Sequence, residues 1–83
     1  MKVTVKLFAT LSDLLPPETR DNAVELEVPA DITPNAVIDQ FRVPRKLAHL
    51  VLRNGIYIEP EQRDQPLFED GDVIAIWPPI AGG

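Results

Sequence analysis

Residues 2–8 alternate: Val3, Val5 and Leu7 fall on one face, Lys2, Thr4 and Lys6 on the other. That period of two predicts a half-buried strand over Lys2 to Phe8. A second strand is predicted from Ala23 to Val28, where Val24, Leu26 and Val28 alternate with Glu25 and Glu27 until Pro29 stops the run. Between them, Leu11, Leu14 and Leu15 lie at helical spacing and predict one short turn before Pro16-Pro17. Thr33-Pro34 reads as a helix start, with threonine as N-cap and proline at the first helical position. Val37, Ile38 and Phe41 supply a narrow apolar stripe, and Pro44 ends the helix near Arg42. A further turn fits Arg45 to Ala48.

Leu50 to Arg53 is the third predicted strand. Asn54-Gly55 is the strongest hairpin signal, because both residues tolerate positive φ. Ile56-Tyr57-Ile58 returns as the fourth strand, Leu67 and Phe68 anchor the next loop, and Asp70-Gly71-Asp72 makes a tight turn. The unbroken apolar run Val73 to Trp77 predicts a last strand that is central and covered on both faces. The resulting ββαβββ order, with one principal helix on one face of a mixed sheet of about five strands, is an α+β domain.

At 83 residues the chain is one domain, and its 45% apolar and 25% charged content is ordinary for a globular protein. No apolar run approaches the roughly 20 residues of a membrane span. The opening residues hold no signal-peptide hydrophobic region, so the expected compartment is the cytoplasm and no membrane partner is expected. The absence of cysteine excludes disulfides, thiolate metal sites and cysteine nucleophiles. A net charge of −5 disfavours nucleic acid and favours a partner with a basic docking surface. His49 is the single histidine and has no companion ligand, and Asp70-Gly71-Asp72 lacks EF-hand spacing, so no metal is expected. Ser12 beside Asp13 has no nucleophile elbow, and no phosphate-binding glycine loop occurs. Arg42, Arg45, Lys46 and Arg53 form a loose basic cluster that reads as a solvated face.

The chemistry concentrates at the end, Pro78-Pro79-Ile80-Ala81-Gly82-Gly83. Two prolines restrict φ and launch an extended tail beyond a domain spanning 1–77. A carboxylate becomes electrophilic only once an oxygen is made a leaving group, as in an acyl-adenylate, and the enzyme doing so must exclude water. Gly82 and Gly83, with the slim Ala81, can pass a narrow channel that side chains would block.

The ββαβββ order, Val5-Lys6-Leu7-Phe8-Ala9, the Asn54-Gly55 hairpin, Leu67-x-x-Asp70-Gly71-Asp72-x-Ile74-x-Ile76 and the Pro78 to Gly83 ending together resemble the ubiquitin-like sulfur carriers: the small subunit of molybdopterin synthase and the thiamine-pathway carrier. The resemblance implies a β-grasp (ubiquitin-like) fold. It implies that an E1-like enzyme uses ATP to adenylate the Gly83 carboxylate, that a sulfurtransferase or other sulfur donor converts it to a thiocarboxylate, and that the tail delivers sulfur to an acceptor enzyme. No cofactor is bound by the carrier itself, and its side chains perform no catalysis. Residues Pro78, Pro79, Ile80, Ala81 and Gly82 insert. The sheet face away from the helix and residues near the tail contact partners, with Phe8, Phe68 and Trp77 the aromatic candidates. Pro78-Pro79 looks like the molybdopterin branch, whose carrier pairs with a larger catalytic subunit. The compact segment from Thr33 to Lys46-Leu47 looks more like the thiamine-type carriers. A modifier joined to lysines through Gly83 would use the same adenylate, and a β-grasp binding domain with an inert tail is a third expectation. Because the chain ends at Gly83, no processing protease is expected.

Overall fold

The computed structural model describes residues 1–17 and 19–79. The described residues form β1 (Lys2–Leu7), β2 (Ala23–Glu27), α1 (Pro34–Gln40), β3 (Leu50–Arg53), β4 (Ile56–Tyr57) and β5 (Val73–Trp77). Short 3₁₀ turns over Ala9–Leu14 and Arg45–Leu47 lie where helical turns are expected. A third, Pro60–Gln62, has no apolar period to announce it; the Glu59 N–H donates to the Gln62 side-chain oxygen at 3.2 Å.

The strands form one mixed sheet in the order β2-β1-β5-β3-β4. β1 pairs antiparallel with β2 and parallel with β5, while β3 is antiparallel to both β5 and β4. Val3, Val5, Leu7, Val51, Ile74 and Ile76 are fully buried on the helix side and meet Val37 and Ile38 of α1. This is the arrangement expected of a β-grasp domain. One expectation is corrected. β5 is central, but only Ile74 and Ile76 are covered; Val73, Ala75 and Trp77 are half-buried on the face α1 does not reach. A continuous apolar strand signals a central position without specifying a second covering layer.

Local chemistry explains the element ends. The Ala36 N–H donates to Thr33 Oγ1 at 3.1 Å, so Thr33 caps the helix, with Pro34 at its first position. Arg42 takes φ +60° beyond the helix; its N–H reaches the Asp39 carbonyl and the Val43 N–H the Ile38 carbonyl. That pair of bonds is a Schellman closure with buried Val43 folded back towards Ile38. At the β3–β4 hairpin, Asn54 and Gly55 both adopt positive φ, 50° and 83°. A Cβ at Gly55 would meet no neighbour, so the requirement for glycine there is conformational, not spatial.

The start of β5 is clamped. Asp70 Oδ1 accepts from the Lys2 N–H at 2.7 Å, and the Asp72 carbonyl accepts from the Thr4 N–H at 2.9 Å. The buried Asp72 carboxylate accepts from Arg53 Nε (2.7 Å), Asn54 Nδ2 (2.9 Å) and the Glu69 N–H (2.8 Å). Burial by itself pushes this carboxyl up, but the Glu69, Asn54 and Arg53 donors together hold it below the ordinary aspartate value. The folded pKa is therefore the lower one. The resulting stabilisation is full above the unfolded value of about 3.9 and is lost as the pH falls through it towards the folded value. Asp72→Asn, which turns one acceptor oxygen into a donor, is expected to cost about 1–3 kcal/mol at neutral pH. It should also flatten the decline of stability below about pH 4, read from urea midpoints across a pH series.

Candidate functional site

The tail leaves the sheet at the C-terminal end of β5. Because β1 and β5 run parallel, the residue leaving β1, Phe8, arrives at the same end as Trp77. The Phe8 N–H donates to the Ile76 carbonyl at 3.1 Å, and the two rings stack with centroids 4.1 Å apart and planes 7° from parallel. On the other side of β5, Leu50 pairs with Trp77, and the His49 N–H donates to the Trp77 carbonyl at 3.1 Å. Trp77 is thus held from both flanks. Pro78 is buried and Pro79 exposed. Neither has an N–H, so the ladder cannot continue and the chain must leave the sheet. The expected insertion residues Ile80, Ala81 and Gly82, and Gly83, the residue expected to react, lie outside the described residues.

Strand register sets what surrounds this exit. Trp77 lies beside Leu50, Ala75 beside Leu52 and Lys6, Val73 beside Thr4, and Leu52 beside Tyr57. These positions share the face opposite α1. Leu50 and Tyr57 are about two-fifths exposed, at 38% and 42%, so an apolar surface extends from the tail root across three strands. At its far side β2 contributes Glu25 and Glu27, with Lys2 Nζ 3.6 Å from Glu25. The arrangement offers a partner an apolar surface beside the point where the chain leaves the sheet.

Two of the three aromatic candidates, Phe8 and Trp77, come together here. Phe68 does not: it is buried in the helix-side core with Ile58 and Val28, while the adjoining Leu67 is half-buried. Aromatic residues favour cores and interfaces alike, so residue type could not separate the two environments. The basic cluster is dispersed, since Arg45 pairs with Asp39 at 2.7 Å and Arg53 with Asp72. Arg45 holds the exposed Asp39 carboxyl below its ordinary value through that hydrogen bond. The Asp70-Gly71-Asp72 carboxylates fasten β1 and the hairpin, and no group of three potential metal ligands occurs among the described residues. Leu50 and Tyr57 escaped the sequence reading as surface residues, because facing and exposure follow from register and not from apolar character.

The chain belongs to the ThiS family, ubiquitin-like sulfur carriers whose family model matches residues 5–83. Among solved structures it is similar to SAMP1, a small archaeal modifier protein from Haloferax volcanii, at 24% identity over 100% of both chains with a TM-score of 0.67. It is similar to the HVO 2177 protein of the same organism at 22% identity and a TM-score of 0.77, covering 100% of this chain and 87% of that one. It is also similar to one chain in the structure of the complex of subunits 1 and 2 of molybdopterin-converting factor from Helicobacter pylori, at 23% identity over 100% of this chain and 100% of that one, with a TM-score of 0.61. At these identities the likenesses establish the β-grasp fold. No curated protein sequence matches the chain.

Trp77 is the only tryptophan, so its emission reports the tail root directly. Phe8→Leu is expected to shift that emission to the red and raise its quenching by acrylamide. A double-mutant cycle of Phe8→Leu and Trp77→Leu in urea should give a coupling of about 0.5–1.5 kcal/mol.

Proposed function

We propose that this chain is a cytoplasmic sulfur carrier whose Gly83 carboxylate becomes a thiocarboxylate and supplies sulfur for molybdopterin synthesis, as the small subunit of molybdopterin synthase. The observation that carries the reading is the ThiS-family match through Gly83, on a chain whose last strand opens into Pro78-Pro79 beside an exposed apolar face.

The Gly83 carboxylate attacks the α-phosphorus of ATP on an E1-like enzyme, and pyrophosphate leaves. The terminal sulfur of a sulfurtransferase persulfide then attacks the acyl carbon and AMP leaves. A second thiol attacks the donor sulfur of the resulting acyl disulfide, the S–S bond breaks, the donor ends as a disulfide and the thiocarboxylate is released. In the acceptor enzyme that sulfur attacks an electrophilic carbon of the substrate and a leaving group departs from it with the bonding electrons. Water then cleaves the acyl–sulfur bond, leaving the sulfur on the substrate and restoring the carboxylate. The carrier contributes docking and presentation. The open face supplies apolar area, an acidic chain of net charge −5 favours basic partner surfaces, and the prolines reduce the ordering entropy lost when the tail inserts. The molybdopterin branch is favoured by Pro78-Pro79 and by likeness to the Helicobacter pylori complex, whose second subunit is the counterpart of the larger catalytic partner proposed here. A thiamine-type acceptor is the nearest alternative within the same chemistry.

Likeness to SAMP1 supports a second reading, in which lysine amines of other proteins attack the same adenylate. Intact mass of the chain purified from cells holding its native partners separates the two. Replacement of one oxygen by sulfur in the C-terminal peptide is expected. A free-acid mass after incubation with ATP, activating enzyme and sulfur donor, together with isopeptide ladders lost on deleting Gly82-Gly83, would establish the modifier instead. One residue added after Gly83 should abolish either product while leaving the unfolding free energy, read from urea denaturation, within about 0.5 kcal/mol of its original value.

A further inference from the structure

Arg63 is 93% buried, since only 7% of its surface is exposed, yet no carboxylate pairs with it among the described residues. A guanidinium in such a place costs several kcal/mol unless its donors are satisfied. Backbone oxygens do most of that work here. Arg63 Nε donates to the Ile58 carbonyl at 3.0 Å and Nη1 to the Ala48 carbonyl at 3.0 Å. Nη2 donates to the Tyr57 hydroxyl at 3.2 Å and makes a longer contact, 3.5 Å, to the His49 carbonyl. The guanidinium carbon lies 5.5 Å from the centre of the Tyr57 ring.

Ala48 and His49 form the link between the 3₁₀ turn Arg45–Leu47 and β3. Their carbonyls face Arg63, while the His49 N–H faces β5 and bonds the Trp77 carbonyl. The order is therefore guanidinium, Ala48–His49 peptide, Trp77 carbonyl, tail. Pro78 and Pro79 offer no N–H of their own, so the last residue of β5 must be anchored by its neighbours. On the β3 side Leu50 pairs with Trp77 and the His49 N–H bonds the Trp77 carbonyl, and Arg63 holds the other face of that same Ala48–His49 peptide.

We propose that Arg63 is a positioning residue which, through Ala48 and His49, fixes the direction in which the C-terminal tail leaves the sheet. For catalysis this rests on the carrier reading above; for geometry it stands alone. A nucleophilic carboxylate must meet the α-phosphorus in line, and a displacement of about 1 Å at a reacting group can cost up to a hundredfold in rate. The Arg63 side chain touches neither ATP nor the Gly83 carboxylate in this scheme.

The test compares Arg63→Lys and Arg63→Met with Asp72→Asn, which loosens the opposite end of β5. Residue-resolved amide hydrogen exchange on the isolated chain is the first readout. In the Arg63 variants the His49 amide is expected to exchange about tenfold faster relative to the Thr4 amide, which bonds the Asp72 carbonyl, and Asp72→Asn should reverse that order. Equal acceleration at both amides in Arg63→Lys, the milder variant, would overturn the proposal and leave Arg63 a general contributor to stability. The second readout is pyrophosphate release with the activating enzyme. Arg63→Lys should lower kcat about tenfold with KM for the carrier unchanged, while Asp72→Asn leaves both near their original values. A raised KM at constant kcat would overturn the positioning role by placing Arg63 in docking. If the unaltered chain is not adenylated at all, the carrier reading fails, and the exchange measurement still decides whether Arg63 sets the exit.

Discussion

The parallel pairing of β1 with β5 is the constraint on which the rest of the molecule depends. It joins Val5 to Ile74 and Leu7 to Ile76, residues separated by most of the chain. β2 lies on β1 and β3 on β5, with β4 added at the edge by its pairing to β3. The four fully buried side chains at this seam, Val5, Leu7, Ile74 and Ile76, also form the floor against which α1 packs. Such a contact closes a very long loop before it repays the entropy lost, which explains the fastening on both strands. The Lys2 and Thr4 amides are taken up by the Asp70 and Asp72 region at one end, and the Phe8 amide by Ile76 at the other.

The same seam dictates where the tail leaves the sheet. Parallel strands end together, so Phe8 is delivered to the side of Trp77, and β3 brings Leu50 to its other flank. The tail root therefore has an apolar collar made by neighbours that are distant in sequence. The edges differ: β4 is a two-residue strand and β2 carries Glu25 and Glu27, features that discourage pairing with further strands.

The period-two patterns at Val3/Val5/Leu7 and Val24/Leu26, the Asn54-Gly55 turn and the Thr33-Pro34 cap were legible because each encodes a local preference that the tertiary structure reinforces. The tail was legible because Pro-Pro followed by Gly-Gly has little structural reason to exist within a strand. Other features are written only in three dimensions. Val73, Ala75 and Trp77 look like core residues until one asks whether a second layer exists. Phe68 and Trp77 are both aromatic, and only the position of α1 places one inside and leaves the other half-covered. Arg63 sits in the polar run Glu61-Gln62-Arg63-Asp64, which reads as solvated surface. Its burial follows from carbonyls of residues 48 and 58 that no pattern in the flanking sequence reveals.

The collar around the tail root exists only when residues near 8, 50 and 77 have been brought together. A peptide copied from the last residues, however long within β5, would carry the glycines and prolines but neither Phe8 nor Leu50. A misfolded chain would be in the same position. On the proposed carrier reading, an activating enzyme that docked on this collar before admitting the tail would inspect the whole domain in a single encounter. Under the proposed function, recognition of this kind would be a proofreading step, with ATP consumed only on chains that have already completed their fold.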